Sequence, residues 1–260
     1  MDLGLTGRWA LVSGASQGIG EGLAEAFASE GVNLHLTARS ADRLRDLQKR
    51  LQDRTGVTVH VHPMDLARSG AVEKLVDAIG DIDILVNNAG SIPGGSLDAI
   101  DEKTWREGWE LKVFGYINLT RAVYRRMRDR GSGVIINNIG NAGQVYDSRY
   151  VSGTTGNAGL IAFTRAMGGR SLADGIRVVG INPGPVDTER IYRLLKVRAR
   201  DLYGDEARFT ELLKSYPLGR PAKVREVVDL MVFLASDRSG YTTGTVITVD
   251  GGISSRHSIV

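Results

Sequence analysis

The sequence contains no cysteine. That excludes a disulfide scaffold and any thiolate metal site, and it fits a reducing compartment. Charge of one sign is equally scarce. Lys and Arg number 33 against 30 Asp and Glu, a formal net charge of +3, and so small a surplus gives no reason to expect nucleic acid. No run of 18 apolar residues suggests a membrane span, and Met1-Asp2-Leu3-Gly4 lacks the basic-then-apolar pattern of a secretory signal. Neither a membrane nor a signal peptide is therefore expected. What is present is ordinary for a globular protein: 42% apolar and 24% charged residues in a chain of 260. That length suits a single large α/β domain with a substantial core.

Glycine, by contrast, is plentiful, and one glycine-rich stretch organises the chain. Trp9-Ala10-Leu11-Val12 is a short apolar run that breaks into Ser13-Gly14-Ala15-Ser16-Gln17-Gly18-Ile19-Gly20. Leu23, Ala24 and Phe27 then follow at helical spacing. A strand, a tight turn and a helix start in that order suit a phosphate: glycine lets the backbone approach, and the helix N–H groups point at the anion. The 14, 18, 20 spacing differs from G-x-G-x-x-G, so the motif gains its meaning from its place after the first strand.

Behind it the pattern alternates. Strands are expected at Asn33–Ala38, Val57–Val61, Ile82–Val86, Gly133–Asn138, Ile176–Ile181 and Val246–Val249. Helices are expected from Asp42 to Arg54, Val72 to Ile79, Trp105 to Met127, Gly156 to Leu172 and Val224 to Ala235, with a charged helical insertion over about 188–215. Strands separated by helices of this length predict an α/β fold, a Rossmann-type doubly wound parallel sheet with helices on both faces, in one domain over 1–260.

Several motifs in order then carry a resemblance. These are the glycine turn, Asn87-Asn88-Ala89-Gly90, Gly175-Ile176-Arg177-Val178, Asn182-Pro183-Gly184, and Gly244-Thr245-Val246 through Asp250-Gly251-Gly252. Over almost its whole length the chain resembles the short-chain dehydrogenase/reductase superfamily. The resemblance implies strand order 3-2-1-4-5-6 plus a short last strand, a cytoplasmic homotetramer or homodimer, and hydride transfer between NAD(P) and a small carbonyl or alcohol substrate. It places Ser13, Gly14, Ser16, Gln17, Gly18, Ile19 and Gly20 around a pyrophosphate, and Asp65 and Leu66 beside an adenine. Asn88, Ala89 and Gly90 would line the ribose and floor. Pro183, Gly184 and Thr188 would meet the nicotinamide end. At the end of the second strand stands Ala38-Arg39 rather than an acid, and a guanidinium there suits a 2′-phosphate, so NADP is expected, with NAD possible. The competing reading of Arg39 is a surface arginine that opens a charged helix.

The likeness fails at the family's catalytic set of Asn, Ser, Tyr and Lys. Alignment on the flanking motifs puts Lys112 at the Asn position, Gly140 at the Ser, Gly153 at the Tyr and Asn157 at the Lys. A carbonyl reduction needs a proton source and donors for the developing alkoxide, and two glycines supply neither. Asn and Lys have exchanged places, however, and Tyr150 lies one helical turn before Gly153, on roughly the same face. This predicts a rewired Tyr150/Lys112 pair with Asn157 at the cofactor. Tyr146, Asp147, Ser148 and Ser152 stand as weaker proton-handling candidates. Against this, Lys112 pairs with an acid such as Glu110 or snorkels, and Tyr150 is packing at a cleft edge. The chain is then either an oxidoreductase with a non-standard site or a catalytically inactive dinucleotide-binding or scaffold protein.

Two further features are weaker. Arg190, Arg193, Lys196, Arg198 and Arg200 place five bases within eleven residues of the insertion, beside Ile191, Leu194 and Leu195. By resemblance this is a substrate lid, suited to an apolar substrate with a carboxylate or phosphate; a solvated face competes. Of the histidines 35, 60, 62 and 257, His60 and His62 share a strand face, but no third ligand accompanies them, and no metal is expected. Trp105 and Trp109 read as core or interface residues.

Overall fold

Short β-branched runs alternating with amphipathic helices give one continuous sheet in the computed structural model, which describes residues 2–256. The strands are β1 (Trp9–Ser13), β2 (Asn33–Ala38), β3 (Val59–Pro63), β4 (Ile84–Asn87), β5 (Gly133–Asn138), β6 (Ile176–Pro183) and β7 (Val246–Val249). They lie in the order β3-β2-β1-β4-β5-β6-β7, and every neighbouring pair is parallel. The order reverses between β1 and β4, so a crevice opens beyond the carboxyl ends of those strands, where ligands of such sheets bind.

The helices are α1 (Gly18–Ser29), α2 (Ala41–Thr55), α3 (Ala71–Ile79), α4 (Glu102–Trp109), α5 (Gly115–Arg130), α6 (Val151–Gly168), α7 (Glu189–Tyr203), α8 (Phe209–Leu213) and α9 (Val224–Ala235). Their apolar stripes cover both faces of the sheet. Ala10 and Val12 of β1 pack with Leu23 and Phe27 of α1, Leu44 and Leu47 of α2 and Met231 of α9. The intervening Leu11 packs on the opposite face with Leu75 of α3 and Val123 and Met127 of α5. This period-2 division buries β1 on both sides and holds its carboxyl end rigidly. No described helix is long and apolar enough to cross a membrane.

Several bounds differ from the sequence reading: β4 starts at Ile84 rather than Ile82, β6 runs on to Pro183, α6 ends at Gly168 rather than Leu172, and three further differences bear on the site or the edge. β3 begins at Val59, two residues later than expected, because Leu34 of β2 registers with Val59. α6 begins at Val151, five residues early. Glycines at 153 and 156 weaken its intrinsic propensity, but Trp109 Nε1 donates to Ser152 O at 3.0 Å and Val113 and Ile92 close over Gly156, so packing overrides propensity. The long helix is interrupted by a π-helical turn over Glu110–Phe114, centred on Lys112; such turns recur at functional sites.

At the sheet edge the fold adds a third imidazole that strand periodicity could not show. His35 of β2 registers with His60 of β3, and its Nδ1 lies 3.0 Å from Nε2 of His62. Trp9 stacks on His60. Among the described residues no group of three such side chains is arranged to hold a metal; His257 lies outside them. Burial first, then the neighbouring His62 and His60 charges, push His35 down to about 4. Its folded value lies below the unfolded one, so the unfolded chain binds more protons between about pH 6.5 and 4. Stability is therefore full above pH 6.5 and declines as pH falls through that window, by about 3 kcal/mol for this group. Urea midpoints at pH 7.5 and 5.0 check this: His35→Leu should flatten the difference, and an equal acid loss in that variant would remove His35 as its cause.

Candidate functional site

The crevice is built by the ends of β1, β4, β5 and β6 and the loops that follow them. After β1 the chain turns at Gly14, with φ +67°, where a Cβ would lie 2.8 Å from Ala89 Cα. At Gly20 a Cβ would meet Gly14 O at 2.2 Å and Asn88 Nδ2 at 2.5 Å. Only glycine permits either approach. Gln17 caps α1 without any side-chain hydrogen bond to its first turn, so those N–H groups face the crevice without a side-chain partner. Gly18 lies against Thr188, 3.2 Å from a would-be Cβ to Cγ2. The glycine turn and the residues after β6 thus form two walls of one slot.

Ser13 serves the frame of that slot. Its hydroxyl, 1% exposed, accepts from Asn88 N–H at 2.9 Å and Ala89 N–H at 3.0 Å and donates to Val86 O at 3.2 Å. No capacity is left for a ligand. The Asn88 amide is similarly engaged, donating to Ser13 O at 2.9 Å and accepting from Asn138 Nδ2 at 2.7 Å. Both residues join β1, β4 and β5 rather than presenting side chains to the slot. Ser16 and Ile19 are half-buried in the turn, Leu66 is buried, and Asp65 accepts from Ala67 N–H at 3.1 Å. Arg39 is exposed. Arg43, which the sequence reading passed over among the charges of α2, donates to Gln17 Oε1 at 2.6 Å and so puts a second guanidinium at this end.

At the other end stand Lys112, Tyr150, Gly153 and Asn157. Lys112 is half-buried, and its ammonium donates to Ile139 O at 2.5 Å, just past the end of β5. Its stem packs against Gly90, where a Cβ would fall 2.7 Å from Lys112 Cδ. It makes no ion pair with Glu110; its head is turned instead to the Ile139 carbonyl. Burial first and the Arg190 charge second lower its pKa to about 7. One turn on, Tyr116 donates to Asn138 O at 2.7 Å, so two side chains of the helix occupy the last carbonyl of β5 and the one after it.

Tyr150 caps α6, and its ring lies over Gly153. A Cβ at 153 would sit 2.0 Å from Tyr150 Cζ and 2.2 Å from Cε1. The phenol ring therefore fills the root of the space that a side chain at 153 would use. Asn157 is 3% exposed, with Nδ2 3.2 Å from a would-be Cβ on Gly140 and Oδ1 without a partner. Ser152 Oγ, Thr154 Oγ1 and both amide atoms of Asn182 are likewise buried and unpartnered. Orphaned polar atoms gathered on α6 and the end of β6 call for a polar ligand or water. With two glycine-lined walls and an uncapped helix start, they fit a dinucleotide. Pro183 is buried at the end of β6, and Gly184 donates to Val249 O at 3.0 Å.

Comparison with known proteins agrees with this construction. Residues 14–254 match the family model described as enoyl-(acyl carrier protein) reductase. The chain is 36% identical over 253 residues to the oxidoreductase UcpA of Salmonella typhimurium, covering 95% of each. It is 32% identical over 256 residues to the 3-oxoacyl-(acyl-carrier-protein) reductase FabG of Chlamydia muridarum, covering 96% of this chain and 98% of the other. Among solved structures, L-sorbose reductase from Gluconobacter frateurii, complexed with NADPH and L-sorbose, superposes with a TM-score of 0.91 at 32% identity, over 99% of this chain and 100% of that one. Fold, crevice and relatives together make the chain a member of the short-chain dehydrogenase/reductase superfamily.

Proposed function

We propose that this chain is an NADP(H)-preferring oxidoreductase acting on a small carbonyl/alcohol pair through Lys112 and Tyr150, with Asn157 turned to the cofactor. The observation that carries the reading is the coincidence of two compensations. A half-buried ammonium stands at the end of β5, and a phenol ring covers the glycine that replaces the family's tyrosine. A half-buried lysine with no carboxylate partner and a lowered pKa is the kind of group found at functional sites.

When bound, NADPH supplies the hydride. The C=O π bond then opens toward oxygen, and the chain must hold and protonate the alkoxide. Lys112, with a pKa of about 7, is mainly ammonium below that pH and in that form stabilises the developing charge. Tyr150 hands over a proton and is reprotonated through Lys112 or water. In the opposite direction the same groups accept the alcohol proton. The segment 188–215 serves as the substrate lid, and the resemblance supports a cytoplasmic homodimer or homotetramer. A screen of NADPH and NADH against aldehydes, ketones and quinones, with the reverse assays, tests the reading. Turnover proportional to enzyme concentration supports it; complete silence despite micromolar cofactor binding would favour the inactive dinucleotide-binding alternative.

Coenzyme choice rests on Arg39, exposed at the end of β2, assisted by Arg43 beside Gln17. Calorimetric titration should show NADPH binding at least about tenfold tighter than NADH, and Arg39→Ala should remove most of that margin. Equal wild-type affinities, or a preference unchanged in the variant, would end the argument.

A further inference from the structure

The five basic side chains of α7 do not share one environment. Arg200 pairs with Glu206 at 3.0 Å. Lys196 lies over the Phe209 ring, 5.8 Å from its centroid. Arg198 faces Asp147 and Tyr216. Arg190, in the first turn of the helix, instead reaches back across the slot, where Nη1 donates to Gly90 O at 3.4 Å. Its charge is felt by the half-buried Lys112 and by the buried Tyr116.

Arg190 is exposed, so its guanidinium stands at the mouth of the slot, open to an incoming anion. No Asp or Glu oxygen lies within 4.0 Å of the Arg190 guanidinium among the described residues. Of the nearby acids, Asp187 hydrogen-bonds Tyr192 and Asp147 pairs with Arg149, while Glu189 precedes Arg190 on the same turn. The single bond to Gly90 O is long, and it leaves most of the guanidinium donors free. Two cations, Arg190 and Lys112, therefore converge on Gly90 and repel each other. A planar group with two anionic oxygens between or beside them would reverse that repulsion and match the guanidinium fork.

We propose that Arg190 is an anion-recognition residue of this site, engaging a two-oxygen anionic group. That group is either a carboxylate on the carbonyl substrate or a phosphate of the dinucleotide. The inference rests on the oxidoreductase reading for its substrate arm only.

Arg190→Gln and Arg190→Lys, in the full chain, separate the sources. One arm measures NADPH and NADP⁺ dissociation constants by calorimetry. The other compares kcat/KM for 4-oxopentanoate and its methyl ester with NADPH. A substrate carboxylate predicts at least about a tenfold preference for the acid, lost in Arg190→Gln and partly kept in Arg190→Lys, with cofactor affinity unchanged. A cofactor phosphate predicts at least about tenfold weaker NADPH binding in Arg190→Gln, with the acid-to-ester ratio unchanged. If neither quantity moves in Arg190→Gln, the proposal is overturned. If neither ketone turns over, the substrate arm is read instead from calorimetric binding of 4-oxopentanoate to the NADP⁺-loaded protein. Silence in the wider carbonyl screen defeats the oxidoreductase reading, whereas Arg190 is still decided by these two binding measurements.

Discussion

Lys112→Met is expected to lower kcat by a factor of about 10² to 10⁴ while leaving the NADPH dissociation constant within about twofold. The side chain donates to Ile139 O and packs along Gly90. Methionine preserves the length of the stem and the contact with Gly90 but removes the charge. Because the ammonium is half-buried without a carboxylate, its removal relieves some desolvation cost, and the melting temperature should hold. A variant that loses activity by unfolding would instead melt earlier. The pH dependence gives a second readout. The active form for reduction is the ammonium, so the wild-type rate should fall as pH rises through about 7, and that limb should vanish in Lys112→Met. Stability runs the other way. The folded value of about 7 lies below the unfolded value of about 10.4, so wild-type stability rises between those pH values, and the rise should flatten in the variant. An unchanged kcat in a folded Lys112→Met protein would remove the lysine from the chemistry.

Gly153→Ala carries the second large effect, because one methyl group tests where Tyr150 must lie. The new Cβ would fall 2.0 Å from Tyr150 Cζ, and a rigid ring cannot yield by bending. It has to swing off α6. Alanine within a helix gains about 1 kcal/mol over glycine, so the protein should stay folded. Its kcat should nevertheless fall toward that of Tyr150→Phe, a loss of about 10² or more. In a Tyr150→Ala background, adding Gly153→Ala should cost nothing further, since no ring remains to displace. If Gly153→Ala is fully active, the ring over residue 153 is packing and the proton comes from elsewhere.

Much of this architecture was legible before any coordinates. β1 and the turn after it could be read from Trp9 to Gly20 because the apolar run, the glycines and the helical spacing signal a strand, a turn and a helix independently. The ends of β2, β5, α9 and β7 fell where the pattern placed them, for the same reason. The start of α6 did not, since Ser152-Gly153-Thr154-Thr155-Gly156 has poor helical propensity and is held by contacts from Trp109, Val113 and Ile92, far away in sequence. The π-helical turn at Lys112 was equally hidden, because a single inserted residue within a long helix has no compositional signature of its own. At the site, the glycines announced the slot, but the inward role of Ser13 depends on its pairing with Asn88 and Ala89, which only the β1–β4 register creates. Arg43 and Arg190 were each one charge among several. Only the direction in which a long side chain turns distinguishes them, and sequence carries no such direction. His35 entered the edge cluster through register between β2 and β3, another relation invisible along one strand.

The most direct test of the central claim is a double-mutant cycle in single-turnover NADPH oxidation, using the best carbonyl from the screen. Wild type, Lys112→Met, Tyr150→Phe and the double variant are compared at saturating cofactor. If the two side chains form one proton-transfer unit, the double variant should be no more than about twofold slower than the slower single variant, because the unit is already disabled by either change. Losses that multiply in full, or a rate that neither substitution alters, would contradict a site rebuilt around Lys112 and Tyr150.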